Sequence, residues 1–140
     1  LLRSLSPDEL RAVIAHEIAH IRKGHLAILA AMSYGWLALC WGLGEAGFGA
    51  LINLLYFVYW IVIFNRVSRR LEYAADAYAA ALTRPGDLIG ALRAMARINV
   101  TPVDQSRSEE ALQQHPSTRR RIERLERMMP AREGGSRRIP

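Results

Sequence analysis

The sequence has 140 residues, of which 51% are hydrophobic and 23% are charged, with a formal net charge of +6. This length is sufficient for one domain. The net positive charge does not indicate a nucleic-acid-binding protein. The chain has no recognisable DNA- or RNA-binding motif and no aromatic residues interleaved with its arginines. The single cysteine, Cys40, excludes an internal disulfide.

The charges are segregated along the chain. All 19 Lys and Arg residues lie outside residues 26–65, and the only acid within that span is Glu45. The chain therefore has an apolar middle between two basic parts. In a juxtamembrane protein, attraction to anionic lipid headgroups accounts for the basic parts more economically than nucleic acid does.

Residues 7–22 are predicted to form the first helix. Ser6 is a suitable N-cap, Pro7 fits the first helical position, and Glu9 completes a capping box with Ser6. Gly24 follows the apolar periodicity and is a suitable stop signal. These features predict a helix that begins and ends within this segment.

This helix contains the pentapeptide His-Glu-Ile-Ala-His at residues 16–20. The four-residue spacing places His16 and His20 one turn apart on one face, where both imidazoles can bind the same metal ion. A catalytic zinc ion takes three protein ligands and lowers the pKa of a bound water towards ~7. Glu17 is placed to accept the proton of that water as it attacks a carbonyl carbon. Two ordinary histidines on a core helix are the alternative.

Two apolar stretches, 26–44 and 46–64, follow the first helix, and each is close to the ~20 residues that cross a bilayer. A Gly-rich turn joins them, so we predict a transmembrane helical hairpin. The alternative, two helices buried in a soluble core, is disfavoured because so short a chain has little other surface to cover them. The positive-inside rule predicts that both ends of the hairpin face the cytoplasm. The flanking cations are Arg22, Lys23, Arg66, Arg69 and Arg70.

A further helix is predicted over residues 68–82, after the hairpin, with Glu72 and Asp76 on one face. A catalytic metal site needs a third ligand, and most other acids lie in turns or basic stretches. Glu72 can supply that ligand, while Asp76 can accept a hydrogen bond from the outer nitrogen of a ligating histidine. The alternative is that these two acids are exposed and form ion pairs with Arg69 and Arg70.

The C-terminal part is predicted to contain two further helices. The helix over 87–98, capped by Asp87, is expected to cover the glutamate helix. A polar loop over 99–108 and a helical turn over 109–114 precede a basic helix over 117–129, and residues 131–140 are expected to be a disordered tail. Five arginines circle most of the basic helix: Arg119, Arg120, Arg121, Arg124 and Arg127.

Taken in order, these segments resemble the HtpX-type membrane zinc metallopeptidases, relatives of the CAAX prenyl endopeptidases. The resemblance covers residues 4–128 and is carried by LLRSLSPDELRAVIAHEIAHIRKGH, the apolar hairpin, SRRLEYAADAYAA and HPSTRRRIERL. It implies one zinc ion per chain, a catalytic base and an acid that supports the site. Carried over by motif, the zinc ligands are His16, His20 and Glu72, the base is Glu17 and the supporting acid is Asp76.

His115 stands in the His-Pro position of that family. The resemblance implies that His115 assists near the substrate or the oxyanion. A structural role at the entry to the following helix is the alternative, because the residue before Pro116 is restricted to extended backbone.

Members of the family carry upstream membrane helices and a small β-sheet whose edge strand binds substrate in extended form. Neither has a counterpart between Leu1 and the first helix. The resemblance therefore implies a fragment, a divergent short form or an incomplete gene model.

The sequence thus predicts an all-α membrane protein with one domain over 1–130, in which a hairpin over 26–64 joins an active-site helix to a glutamate helix. We expect a zinc endopeptidase that hydrolyses membrane-associated or misfolded proteins at the cytoplasmic face of the bacterial inner membrane. The expected partners are a protein or peptide substrate and the lipid bilayer, with no nucleic acid. A membrane sensor-transducer protease and a catalytically inactive metal-binding membrane scaffold are the alternatives.

Overall fold

The computed structural model describes residues 4–45, 47, 49–99 and 115–129. Within these ranges the regular structure is helical and no strand is formed, which confirms the predicted all-α fold. The elements are α1 (Pro7–Arg22), α2 (His25–Glu45), α3 (Gly49–Val58), a π-helical stretch (Tyr59–Phe64), α4 (Asn65–Leu82), α5 (Pro85–Asn99) and α6 (Thr118–Glu126).

Three predicted segments lie largely outside the described ranges. The helical turn over 109–114 and the tail over 131–140 lie outside the described residues, as does the polar loop over 99–108 apart from its first residue. That first residue, Asn99, is the last residue of α5.

Local hydrogen bonds fix both ends of α1 as predicted. The Ser6 hydroxyl accepts a hydrogen bond from the Glu9 amide, and the Glu9 carboxylate accepts one from the Ser6 amide at 2.8 Å, which completes the capping box. At the other end Gly24 has a φ of +62°, a conformation that glycine adopts at little cost. Because α2 begins at the next residue, the chain turns sharply between the two helices.

The apolar middle of the chain forms two packed helical arms, α2 and α3. Among the described residues one helix, His25–Gly44, is long and apolar enough to cross a membrane, with a mean hydropathy of 1.7 and none of that window buried. The π-helical stretch that follows α3 also contacts α2, since the Trp36 and Tyr59 rings stack with centroids 4.2 Å apart. The Tyr59 hydroxyl also donates to the Met32 carbonyl oxygen at 3.0 Å.

The second arm continues without interruption into the glutamate helix. Phe64 and Asn65 both keep right-handed helical φ and ψ, so α3, the π-helical stretch and α4 form one helical rod. The glutamate helix therefore begins at Asn65, not at the predicted Ser68. Glu72 lies seven residues further along, about 10 Å at 1.5 Å per residue. The rod thus connects the apolar arm directly to the residue predicted as the third ligand.

The helices outside the apolar arms pack around a small core. Its members come from α1, α4, α5 and α6, and alanines on α1 and α4 allow these two helices to approach closely. The buried residues of this core are Ala12, Ala15, Ala79, Leu88, Ile89, Leu92, Ile122 and Leu125.

The C-terminal helices begin differently from the prediction. α5 begins at Pro85, two residues before the predicted cap Asp87, because proline fits the first helical position. Asp87 instead lies in the first turn, where a carboxylate is favoured by the helix dipole. α6 is capped by the Ser117 hydroxyl, which accepts a hydrogen bond from the Arg120 amide.

Candidate active site

Helices α1 and α4 bring the three predicted metal ligands together. Nε2 of His16 lies 3.1 Å from Nε2 of His20, and each of these nitrogens lies 3.6 Å from an oxygen of Glu72. His16 and Glu72 are buried, whereas His20 is partly exposed. Two segments more than fifty positions apart in the sequence thus place two imidazoles and a carboxylate around one point.

These separations can be compared with those of a zinc site. A tetrahedral ion with ligands at ~2.0–2.1 Å holds its ligand atoms about 3.3 Å apart. Nε2 of His16 lies 3.1 Å from Nε2 of His20, and each nitrogen lies 3.6 Å from a different oxygen of Glu72, close to that value. With one ligand atom taken from each residue, the three atoms lie within 4.8 Å of one another. Two nitrogen donors and one oxygen donor are also a ligand set that suits zinc. The residues present therefore fit a zinc ion.

Asp76 lies behind His16, on the side away from the candidate metal position. Its Oδ1 is 3.0 Å from Nδ1 of His16, although the ring N–H is not directed at that oxygen. Burial lowers the pKa of His16, but the carboxylates of Asp76 and Glu72 outweigh burial and raise this pKa to about 9. A metal ion held by His16 would take the place of this proton, because only neutral imidazole binds metal.

Glu72 and Asp76 are buried, with 7% and 1% of their surfaces exposed. Their burial excludes the alternative in which both acids are exposed and form ion pairs with Arg69 and Arg70. Burial raises the pKa of Asp76, but His16 and an arginine from α6 outweigh burial and lower this pKa. Both carboxylates are therefore charged groups inside the protein, and each has a cationic partner.

The arginine from α6 is Arg121, one of the five that circle the basic helix, and no role at the site was predicted for it. Its Nε donates to Asp76 at 2.9 Å and its Nη2 donates to the same carboxylate at 2.6 Å, while Nη1 lies 3.6 Å from Glu72. Arg121 lies four residues before the buried Leu125 and next to the buried Ile122, so helical spacing was the signal for its inward position.

His115 joins the site from the segment before α6. Its Nδ1 lies 3.2 Å from an oxygen of Glu72, although 71% of the His115 side chain is exposed. Hydrogen bonding to Glu72 raises the pKa of His115. Burial raises the pKa of Glu72, but His115, His16 and Arg121 outweigh burial and hold this pKa well below its usual range.

Glu17 lies between the two histidines in sequence, is exposed, and lines the same cleft as they do. The cleft has a volume of about 550 Å³. Its lining combines the polar groups of the site with apolar side chains that include Leu26, Leu29 and Met95. A carboxylate at the edge of an accessible cleft can exchange protons with water and with a bound ligand.

A fourth histidine, His25, belongs to none of the sequence motifs but also lies at the site. It is 2% exposed, and its Nδ1 lies 3.2 Å from Nδ1 of His20. His25 falls five residues after His20 and beyond Gly24, outside the predicted helix, so helical periodicity gave no signal for this contact. Together the structure brings all four histidines of the chain to one region.

The helix with His-Glu-x-x-His, crossed by a helix that supplies a glutamate, is typical of the zinc metallopeptidase class. The chain belongs to peptidase family M48, whose family model matches residues 1–129. It is 35% identical to a protein called Protease HtpX homolog from Persephonella marina, over 97% of the chain and 60% of that relative. It is 30% identical to Protease HtpX homolog 2 from Methanosarcina mazei, over 91% of the chain and 56% of that relative.

These matches confirm the family resemblance seen in the sequence motifs. The chain spans about 60% of the length of the Persephonella marina relative. No solved structure matches the chain at a significant level.

Proposed function

We propose that this chain carries the active site of a zinc-dependent endopeptidase. The observation that supports the proposal is the convergence of His16, His20 and Glu72, with Glu17 beside them on the edge of an open cleft. When bound, zinc lowers the pKa of a coordinated water towards ~7 and polarises the scissile carbonyl. Membership of the M48 peptidase family supports the same chemistry.

The residues of the chain have separate tasks in this reaction. Glu17 takes a proton from the attacking water and returns it to the leaving amine as the peptide bond breaks. His115 is exposed at the cleft and donates a hydrogen bond to the oxyanion that develops on the former carbonyl. Asp76 is the acid that supports His16 from behind, with its Oδ1 3.0 Å from Nδ1 of that residue.

We propose further that α2 and α3 form a transmembrane hairpin with both ends in the cytoplasm. The apolar arms are unusually exposed for a water-soluble protein: Tyr34, Leu37, Trp41, Leu54 and Phe57 each have 60% or more of their surface exposed. Cations flank the arms on both sides and the connecting turn carries only Glu45, in agreement with the positive-inside rule.

This placement determines the class of substrate. Glu72 lies about 10 Å along the rod from Asn65, where the apolar stretch ends, so the cleft opens close to the membrane surface. A cleft of about 550 Å³ that is open to solvent has room for an extended peptide segment, but not for a folded domain. We therefore propose membrane-associated or misfolded proteins as substrates, cleaved on the cytoplasmic side.

The first test is the zinc content of the chain purified in detergent. We expect one zinc ion per chain in the unaltered protein and less than a tenth of that in His16→Ala and in Glu72→Ala, because each change removes one of three ligands. Glu126→Ala is the matched control for Glu72→Ala, since Glu126 is an exposed acid that pairs only with Arg93 in the described structure. Helical content by circular dichroism should be the same in all four proteins.

Two outcomes separate the alternatives. Stoichiometric zinc that is lost in both ligand variants and kept in Glu126→Ala supports a site built from the two helices. Absence of zinc from a fully helical unaltered chain contradicts the metallopeptidase proposal and leaves the metal-free scaffold.

A further inference from the structure

The two ring nitrogens of His20 face different partners. Nε2 points to the candidate metal position, 3.1 Å from Nε2 of His16 and 3.6 Å from Glu72. Nδ1 lies 3.2 Å from Nδ1 of His25, whose ring stands at 88° to the ring of His20. His25 is almost fully buried, at 2% exposure. The outer nitrogen of His20 therefore faces a buried imidazole nitrogen.

The chemistry of imidazole limits what this contact can be. A neutral histidine that binds a metal through Nε2 carries its proton on Nδ1, and that N–H requires an acceptor. Nδ1 of His25 can be that acceptor only if His25 is neutral with its own proton on Nε2. For His16 the corresponding acceptor position is held by Asp76. The two histidines thus have outer partners of different charge, a carboxylate and an imidazole.

We propose that His25 is a positioning residue for the zinc site, which accepts a hydrogen bond from Nδ1–H of His20 and thereby fixes the tautomer and ring orientation of that ligand. This inference rests on the proposed zinc site. It assigns a function to a residue that neither the pentapeptide nor the glutamate helix contains.

The backbone holds His25 in place for this task. Gly24, in the left-handed region, separates α1 from α2, and the first residue of α2, His25, contacts His20 in the last turn of α1. At the N-terminus of α2 the helix dipole disfavours a positive charge on His25.

The test compares three substitutions of His25, two of them of nearly equal shape. In His25→Asn the side-chain Oδ1 takes the position of Nδ1 and keeps an acceptor, whereas His25→Leu keeps the branched shape without an acceptor. We expect zinc affinity, measured by competition with a chromogenic chelator in detergent, to fall 10–100-fold in His25→Leu, the range for loss of an outer partner. His25→Asn should retain affinity within about threefold of the unaltered chain. His25→Gln places its acceptor one bond further out and should resemble His25→Leu.

A spectroscopic measurement separates positioning from a general effect on stability. The chain has only four histidines, so long-range ¹H–¹⁵N spectra of the ¹⁵N-histidine-labelled, zinc-loaded protein contain four imidazole patterns. We expect His25 to be protonated only at Nε2 and His20 only at Nδ1. In His25→Leu the His20 pattern should change, while that of His16 should not.

The inference and the proposed function fail in different ways. If the unaltered chain binds no zinc, the proposed function fails. If the unaltered chain binds zinc and His25→Leu binds it equally tightly, the zinc site stands and the inference about His25 is overturned. A loss of affinity in His25→Leu that His25→Asn does not restore also overturns it, because packing and not the acceptor would then be responsible.

Discussion

Asp76 and Arg121 form a buried two-point ion pair between the glutamate helix and the C-terminal helix. Nε of Arg121 donates to Oδ2 of Asp76 at 2.9 Å and Nη2 donates to Oδ1 at 2.6 Å, with 15% and 2% of the two side chains exposed. The same Oδ1 lies 3.0 Å from Nδ1 of His16. One carboxylate therefore attaches α6 to the bundle and contacts a candidate zinc ligand.

Replacing Arg121 with methionine should destabilise the protein strongly. The change leaves the Asp76 carboxylate buried without its main cationic partner, and breaking a buried pair in this way costs about 3–5 kcal/mol. Urea unfolding in detergent, followed by far-UV circular dichroism, measures this loss. Arg120→Met, at an exposed position one residue away, should change the free energy of unfolding by less than about 0.5 kcal/mol.

A double-variant cycle separates the pair from other effects. Because Asp76→Asn removes the charge that Arg121 neutralises, the double variant should lose less stability than the sum of the single variants, with a coupling of about 1–3 kcal/mol. Additive losses would contradict a direct interaction between the two side chains.

Replacing Glu17 with glutamine should abolish turnover without loss of zinc. Glutamine has almost the same shape but cannot accept a proton, and general base catalysis contributes about 10²–10⁴-fold to rates. The rate of cleavage of a disordered probe protein such as β-casein, normalised to bound zinc, measures the effect. Asp8→Asn is the control because Asp8 is an exposed acid on α1 that pairs with Arg11. Equal rates in Glu17→Gln and the unaltered chain would show that Glu17 is not the base.

Zinc should raise the melting temperature of the chain, and chelation should lower it. A ligand that binds only the folded state stabilises it by about 4 kcal/mol at a concentration 1,000 times its dissociation constant. For a chain of this size we expect an increase of roughly 8–20 °C. The response should vanish in Glu72→Ala and persist in Glu126→Ala. A zinc response retained by Glu72→Ala would locate the bound metal elsewhere.

Much of the site could be predicted because its signals are local. Spacing of four residues places His16 and His20 on one helix face, and the same spacing pairs Glu72 with Asp76. The ends of α1 could be predicted for the same reason, since Ser6 and Gly24 act on neighbouring backbone groups.

The missed residues depend on tertiary contacts. Arg121 occurs in a run of three arginines. Its spacing from Leu125 places it on the buried face of α6, but its partner Asp76 is determined by the packing of α6 onto α4. His25 depends on the turn at Gly24, whose direction no helical periodicity encodes. Both residues meet the site through contacts between elements, which sequence spacing cannot provide.

Replacing Gly24 with alanine should lower the free energy of unfolding, whereas the same change inside a helix usually raises it. An added Cβ at Gly24 would meet no atom within 4 Å, so the only cost is the backbone conformation at φ +62°. For an L-residue that conformation costs about 1–2 kcal/mol, and we expect Gly24→Ala to lose this amount of stability. Gly24→Asn should lose less, because asparagine tolerates the left-handed region better.

Gly35→Ala is the matched control for this change. Gly35 lies within α2 and an added Cβ there also meets no atom within 4 Å, so the two positions differ in backbone conformation and not in space. In a helix interior alanine is favoured over glycine by roughly 0.5–1 kcal/mol, and Gly35→Ala should therefore be neutral or stabilising. Urea unfolding of both variants in the same detergent measures the difference. If Gly24→Ala were as stable as Gly35→Ala, then a left-handed residue would not be what joins α1 to α2, and the placement of His25 against His20 would need another explanation.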